Sequence, residues 1–168
     1  MGVLGNPMYG QNKFDTSADG KIGEIKHVKP ASDGTVASPT TTLTASESGN
    51  VYVIDISANT AAFVLPDAGL AKGSVFTFIL SIESDGEATK DLIVASGSAT
   101  QYIMGASIDG GTVHDTTAAD DQLTFDTSAG AAGGGDRLKV ISDGVHWYIL
   151  DCTALTDAAL VSGTATRS

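Results

Sequence analysis

Three histidines, one cysteine and twenty acidic residues are the groups of this chain from which chemistry would have to be built. His27, His114 and His146 are widely separated. None falls in a spacing such as His-Glu-x-x-His, which sets two imidazoles on one helix face around a zinc ion. Each is expected to be a surface or solvated residue. His114-Asp115, followed by Asp120-Asp121, is the densest polar cluster. Loop carboxylates can bind calcium, which takes about six to eight oxygens. The spacing is not that of an EF-hand and no glycine stands at the required position, so solvated loop acids are expected, with no metal and no cofactor. Cys152 has no evident base beside it and lies in an apolar run, the setting of a small buried hydrophobe. Gly-x-Ser-x-Gly is absent, and Ser96-Gly97-Ser98 has no helix after it. Gly133-Gly134-Gly135 lacks the Lys-Ser/Thr ending of a phosphate loop. A carboxylate pair for glycoside hydrolysis would want aromatic platforms, but aromatics are 6% of the chain and most fall in strand-like runs. No catalytic residue is assigned, and a non-enzymatic protein is expected.

The elements that would hold these residues are strands. Gly, Ala, Ser and Thr abound, and charged residues are only 17%, a profile of short strands and many turns. Val51–Ile56, Ala62–Leu65 and Asp91–Ala95 are compact apolar runs, and Gln101–Met104 is a shorter one. Ser74–Ile82 is the longest, with Phe76, Phe78, Leu80 and Ile82 on one face by period-two alternation. Gln122–Asp126 alternates with Leu123 and Phe125 inward. Pro66-Asp67, Ser84-Asp85-Gly86, Asp109-Gly110-Gly111 and Gly133–Gly135 punctuate the runs. Asp143-Gly144, between Arg137–Ser142 and Val145–Leu150, predicts a two-residue type I′ hairpin turn. That register sets Val140 opposite Trp147 and Leu138 opposite Ile149, with Leu138, Val140, Val145, Trp147 and Ile149 on the core face. The reverse face, Lys139, Ile141, His146, Tyr148 and Leu150, is apolar enough to need a second contact. About eight short strands without a helix-length amphipathic segment predict an all-β fold, a β-sandwich or jelly-roll-like domain.

Residues 1–38 have no sustained pattern and are read as an extended N-terminal arm and linker, residues 39–154 as the sandwich, and 155–168 as a small-residue C-terminal tail. Stretched at about 3.3 Å per residue the arm would reach on the order of 100 Å. Its scattered Leu4, Met8, Tyr9 and Phe14 suit docking into pockets of a partner. The net charge is −11, while residues 1–30 carry four lysines against three acids, leaving −12 on the remainder. An acidic body disfavours nucleic acid and anionic membranes as direct partners. The basic leader suggests that the two parts meet different surfaces. Met1–Gly10 has neither the basic start nor the apolar run of a secretory leader, and no stretch approaches the roughly 20 apolar residues of a membrane span, so synthesis in a cytoplasm is expected.

Three features recur together in small β-structured proteins of tailed bacteriophages. One is the opening Leu43-Thr-Ala-Ser-Glu-Ser-Gly-Asn-Val-Tyr-Val-Ile54. Another is Leu65-Pro66 ending a strand, followed by Gly73 and the Phe-rich run. The third is Gly135-Asp136-Arg137-Leu138 with Ser142-Asp143-Gly144-Val145-His146-Trp147-Tyr148. Over roughly residues 40–152 the chain resembles the head-decoration and tail-fibre-type domains of phage virions. The resemblance implies a sandwich that assembles as a homotrimer on the virion. The expected function is capsid decoration, on the outer capsid surface, with the major capsid protein as partner. A tail-fibre or receptor-binding component contacting host glycan or protein is the alternative. The matching residues are fold-determining, so no binding or catalytic residue is carried over.

Overall fold

The computed structural model describes residues 13–15, 22–30, 40–81, 90–116, 119–126, 133–155 and 160–163. They form an all-β fold of two mixed sheets packed face to face. The strands are β1 (Lys13–Asp15), β2 (Ile22–Val28), β3 (Thr40–Thr42), β4 (Val51–Ile54), β5 (Ala61–Val64), β6 (Val75–Leu80), β7 (Leu92–Ala95), β8 (Ile103–Met104), β9 (Ala106–Asp109), β10 (Thr112–Asp115), β11 (Gln122–Phe125), β12 (Arg137–Ser142), β13 (Trp147–Ala154) and β14 (Leu160–Gly163). The larger sheet has the order β1-β2-β4-β6-β12-β13-β9-β10, with β8 also beside β13, and the smaller has the order β14-β11-β7-β5-β3.

From β2 to β7 successive strands alternate between the sheets, so the chain coils around the core. Each turn of the coil brings the chain back in the same direction. β2, β4 and β6 therefore pair in parallel, as do β3, β5 and β7. The second half closes the sheets with antiparallel pairs, β6–β12, β12–β13 and β9–β10. Period-two alternation aims Tyr52, Ile54, Phe63, Phe76, Phe78, Leu80, Leu123 and Phe125 into the core, each almost wholly buried. Phe63 of the smaller sheet packs on Tyr52 and Phe78 of the larger, at centroid distances of 5.4 and 5.2 Å. These contacts join the layers. Trp147 packs against Phe76 at 5.7 Å.

The β12–β13 hairpin forms, with a different turn and register. Ser142 opposes Trp147, Val140 opposes Ile149, and Leu138 opposes Cys152. The Asp143 carboxylate accepts amide hydrogens from Val145 at 2.7 Å and His146 at 2.8 Å, an Asx-type turn that lengthens the loop to four residues. Val145 is carried out to solvent and does not join the core face. A bulge then shifts the register between Lys139 and Val140. The inward side of β13 passes from Trp147 to Cys152 and Ala154, and Leu150 turns outward.

Residues 22–28, which the sequence reading placed in the arm, form β2 and pair with β4 from Ile25–Val51 to Val28–Ile54. The body of the sheet thus begins before Thr40. Two of the leader's four lysines are paired within the chain. Lys26 pairs with Glu47 at 2.7 Å and Lys29 with Asp55 at 2.6 Å, so these two lysines meet acids of their own body. In the C-terminal tail, β14 pairs with β11. Ser84-Asp85-Gly86 and Ile82 lie outside the described residues.

Candidate functional site

Cys152, His146, Asp120 and Asp121 are held by the fold. Cys152 is 3% exposed. Burial, with Asp151, Asp136 and Asp109 nearby, pushes its thiol up to about 12, which keeps it protonated and poorly nucleophilic. The His146 ring stacks on Tyr102 at 5.1 Å, and its Nδ1 accepts the Tyr102 amide hydrogen at 3.2 Å. That ring fixes the approach of β8 to the hairpin. His27 and His114 are exposed. His114 is on β10, not in a loop, because Gly110 (φ 53°) and Gly111 (φ 88°) close a tight turn between β9 and β10. Both positive angles are those of a type I′ turn, which a side chain would strain. Asp120 and Asp121 are buried and not solvated as expected. Their carbonyls accept the amides of Ile103 and Ser96 at 2.8 Å each. Among the described residues no group of three or more His, Cys, Asp or Glu side chains is placed to hold a metal ion.

Of the residues assigned to partner contact, Leu4, Met8 and Tyr9 lie outside the described residues. Phe14 is in β1, opposite Gly23. The leader is tied down just beyond it. Glu24 N–H donates to Asn50 Oδ1 at 3.0 Å. Lys26 Nζ lies 5.6 Å from the Tyr52 ring centroid while it pairs with Glu47. Burial would raise the Glu47 carboxyl, yet hydrogen bonds from Lys26 and Thr44 hold it below its usual range. Burial would raise Asp55 too, but hydrogen bonds from Lys29 and Ser57 lower it to about 2. At that end of β2 and β4 a shallow cavity of about 250 Å³ is lined by His27, Val28, Lys29, Val53, Asp55 and Ser81.

The outward face of the larger sheet is the surface that stands out. A two-layer sandwich usually shows water a polar outer face. Here strands such as Val51-Tyr52-Val53-Ile54 and Val75-Phe76-Thr77-Phe78-Ile79-Leu80 are apolar on both sides. The exposed part is concentrated on β13, β9 and β10, where Tyr148 (36%), Leu150 (53%), Ile108 (45%) and Val113 (66%) project outward. Val113 and Ile108 are directly paired, and Thr153 sits beside Ile108. Ile141 extends the surface next to Tyr148. The sequence places Ile141, Tyr148 and Leu150 on this face. It misses Ile108 and Val113, because the two glycines between β9 and β10 make a hairpin read as a loop. The signal that finds them is alternation across the turn, Ser107 and Asp109 inward with Ile108 and Val113 outward.

No protein-family model matches the chain, and no curated protein matches it.

Proposed function

We propose that this protein is a non-enzymatic structural component of a virus particle, a capsid decoration protein. It binds the outer surface of the assembled capsid lattice as a homotrimer, with the major capsid protein as its partner. The observation that carries the reading is the open apolar face built from Ile108, Val113, Tyr148 and Leu150. Large apolar side chains exposed together on one sheet face mark a protein-contact site. The arrangement of the polar groups supports it, since Cys152, His146, Asp120 and Asp121 serve packing and backbone bonding. A ligand that binds only the assembled lattice stabilises it by mass action. Three copies joined in a trimer turn weak single contacts into strong ones.

Co-sedimentation with assembled capsids, run beside unassembled major capsid protein, tests the reading. Saturable pelleting with the lattice alone is the expected result. Failure to pellet with assembled capsids would defeat it. A truncation that removes residues 1–21 then asks whether Leu4, Met8, Tyr9 and Phe14 supply lattice contacts. The cut belongs before Ile22, because removal through residue 38 would also take β2 out of the sheet. Loss of pelleting by the shorter protein, with its fold retained, is expected for an arm that binds the lattice.

A further inference from the structure

The same apolar face carries a charge pattern. Its charged residues are Arg137 and Lys139 on β12, Asp151 on β13, Asp115 on β10 and Asp143, whose carboxylate meets the Tyr148 hydroxyl. Two cations stand against three anions, a net of −1, whereas the chain as a whole carries −11. The net repulsion between identical copies therefore sits elsewhere on the molecule, and this face is the approach open to a second copy. Arg137 and Asp151 neutralise each other within the chain, Nε to Oδ2 at 2.6 Å. Among the described residues Lys139 and Asp115 make no ion pair.

The register places these two residues at opposite ends of one row. Lys139 opposes Asp151 on β13, and Asp115 opposes Ala106 on β9. The β13–β9 register, Thr153 beside Ile108, carried back two residues, sets Asp151 beside Ala106. Lys139 and Asp115 are thus three strand spacings apart, ~14 Å. Ile108 and Val113 lie on one side of this row, and Leu150 and Tyr148 on the other. A row with one free cation at one end and one free anion at the other, flanked on both sides by exposed apolar side chains, is self-complementary.

We propose that this face is the contact between copies of the chain, the Lys139 rim of one copy meeting the Asp115 rim of the next. The apolar residues on either side of the row supply burial, and the end charges set the register between copies. This assignment deepens the homotrimer of the reading above, and it requires no capsid.

The test is the mass of the purified full-length chain, by light scattering over a concentration series. The wild type is expected at a multiple of 17.0 kDa. Val113→Asp and Leu150→Asp are expected to give the monomer with an unchanged far-UV spectrum. Lys139→Glu and Asp115→Lys, each alone, are expected to raise the dissociation constant roughly tenfold. Both together restore the opposite-charge pair and are expected to return it to within about threefold of wild type. These charge variants sit on exposed or half-exposed positions and keep the test valid if an apolar variant misfolds. A wild-type protein of 17.0 kDa at every concentration would overturn the assignment. So would charge reversals that leave the association unchanged, or a double variant no better than the singles. An oligomer that does not pellet with capsids would defeat the decoration reading alone. A monomer that does pellet would defeat this one alone.

Discussion

At the scale of single residues, Cys152 and Asp55 are two chemically capable groups held by their surroundings. Cys152 sits just past the β13 bulge, walled by Leu138 and Ala154 and close to three carboxylates. A thiol pushed up to about 12 is almost wholly protonated near neutral pH. Labelling by a thiol reagent is therefore expected to be slow in the folded protein and to reach the free-thiol rate only in denaturant. Rapid labelling of the native state would show that β13 opens locally. Asp55 makes a second test, through pH. Its folded pKa, about 2, lies below its ordinary 3.8, so the unfolded chain binds the proton more readily. The stability from the Lys29–Asp55 pair is fully present above about pH 4 and is lost as the pH falls through about 2. Asp55→Asn is expected to lower the melting temperature near neutrality and to leave little difference from wild type near pH 2. A constant gap between the two proteins across that range would contradict the assignment.

Elements show where sequence patterning stops short. The alternation that aims Phe76, Phe78, Leu80, Leu123 and Phe125 inward is visible in the chain because each falls at every second residue of an unbroken strand. Core placement was legible for that reason, and Phe78→Ala is expected to cost about 3–5 kcal/mol in denaturant unfolding. The Asp143-Gly144 turn was legible as a turn, but not in its length. The carboxylate of Asp143 captures two amides of the loop, and that competition is three-dimensional. The bulge in β13 inverts the alternation midway, so a face extrapolated from the turn fails beyond Leu150. β2 was hidden by Gly23 and by charges that look solvated until Lys26 and Lys29 meet Glu47 and Asp55. Its partner β4 lies more than twenty residues away, which local patterning cannot report. A truncation ending before Ile22 is expected to melt close to the full chain. One ending at residue 38 removes both ion pairs and uncovers the edge of β4, and is expected to melt lower and aggregate. Equal melting of the two would show that β2 adds nothing to the body.

At the scale of the molecule, the larger sheet carries apolar residues on both sides, and the smaller sheet covers only one of them. The core face of such a sheet explains folding; its outer face does not, because solvated polar residues there would hold the monomer equally well. Outward Val51, Val53, Ile79 and Ile141 are half-buried by their neighbours, and the open part narrows to the strands around Leu150. If copies close over that part, association and folding are linked, and the apparent stability depends on protein concentration. The thermal midpoint is then expected to rise steadily as the chain is concentrated. In Leu150→Asp it is expected to stay fixed and to lie below that of the concentrated wild type. The pair of curves separates two roles that one melting temperature would mix. A residue that only stabilises the fold shifts both ends of the concentration series alike, whereas a residue between copies removes the slope. A wild-type midpoint independent of concentration, with the oligomer present throughout, would mean that the face is too weakly buried to contribute to stability.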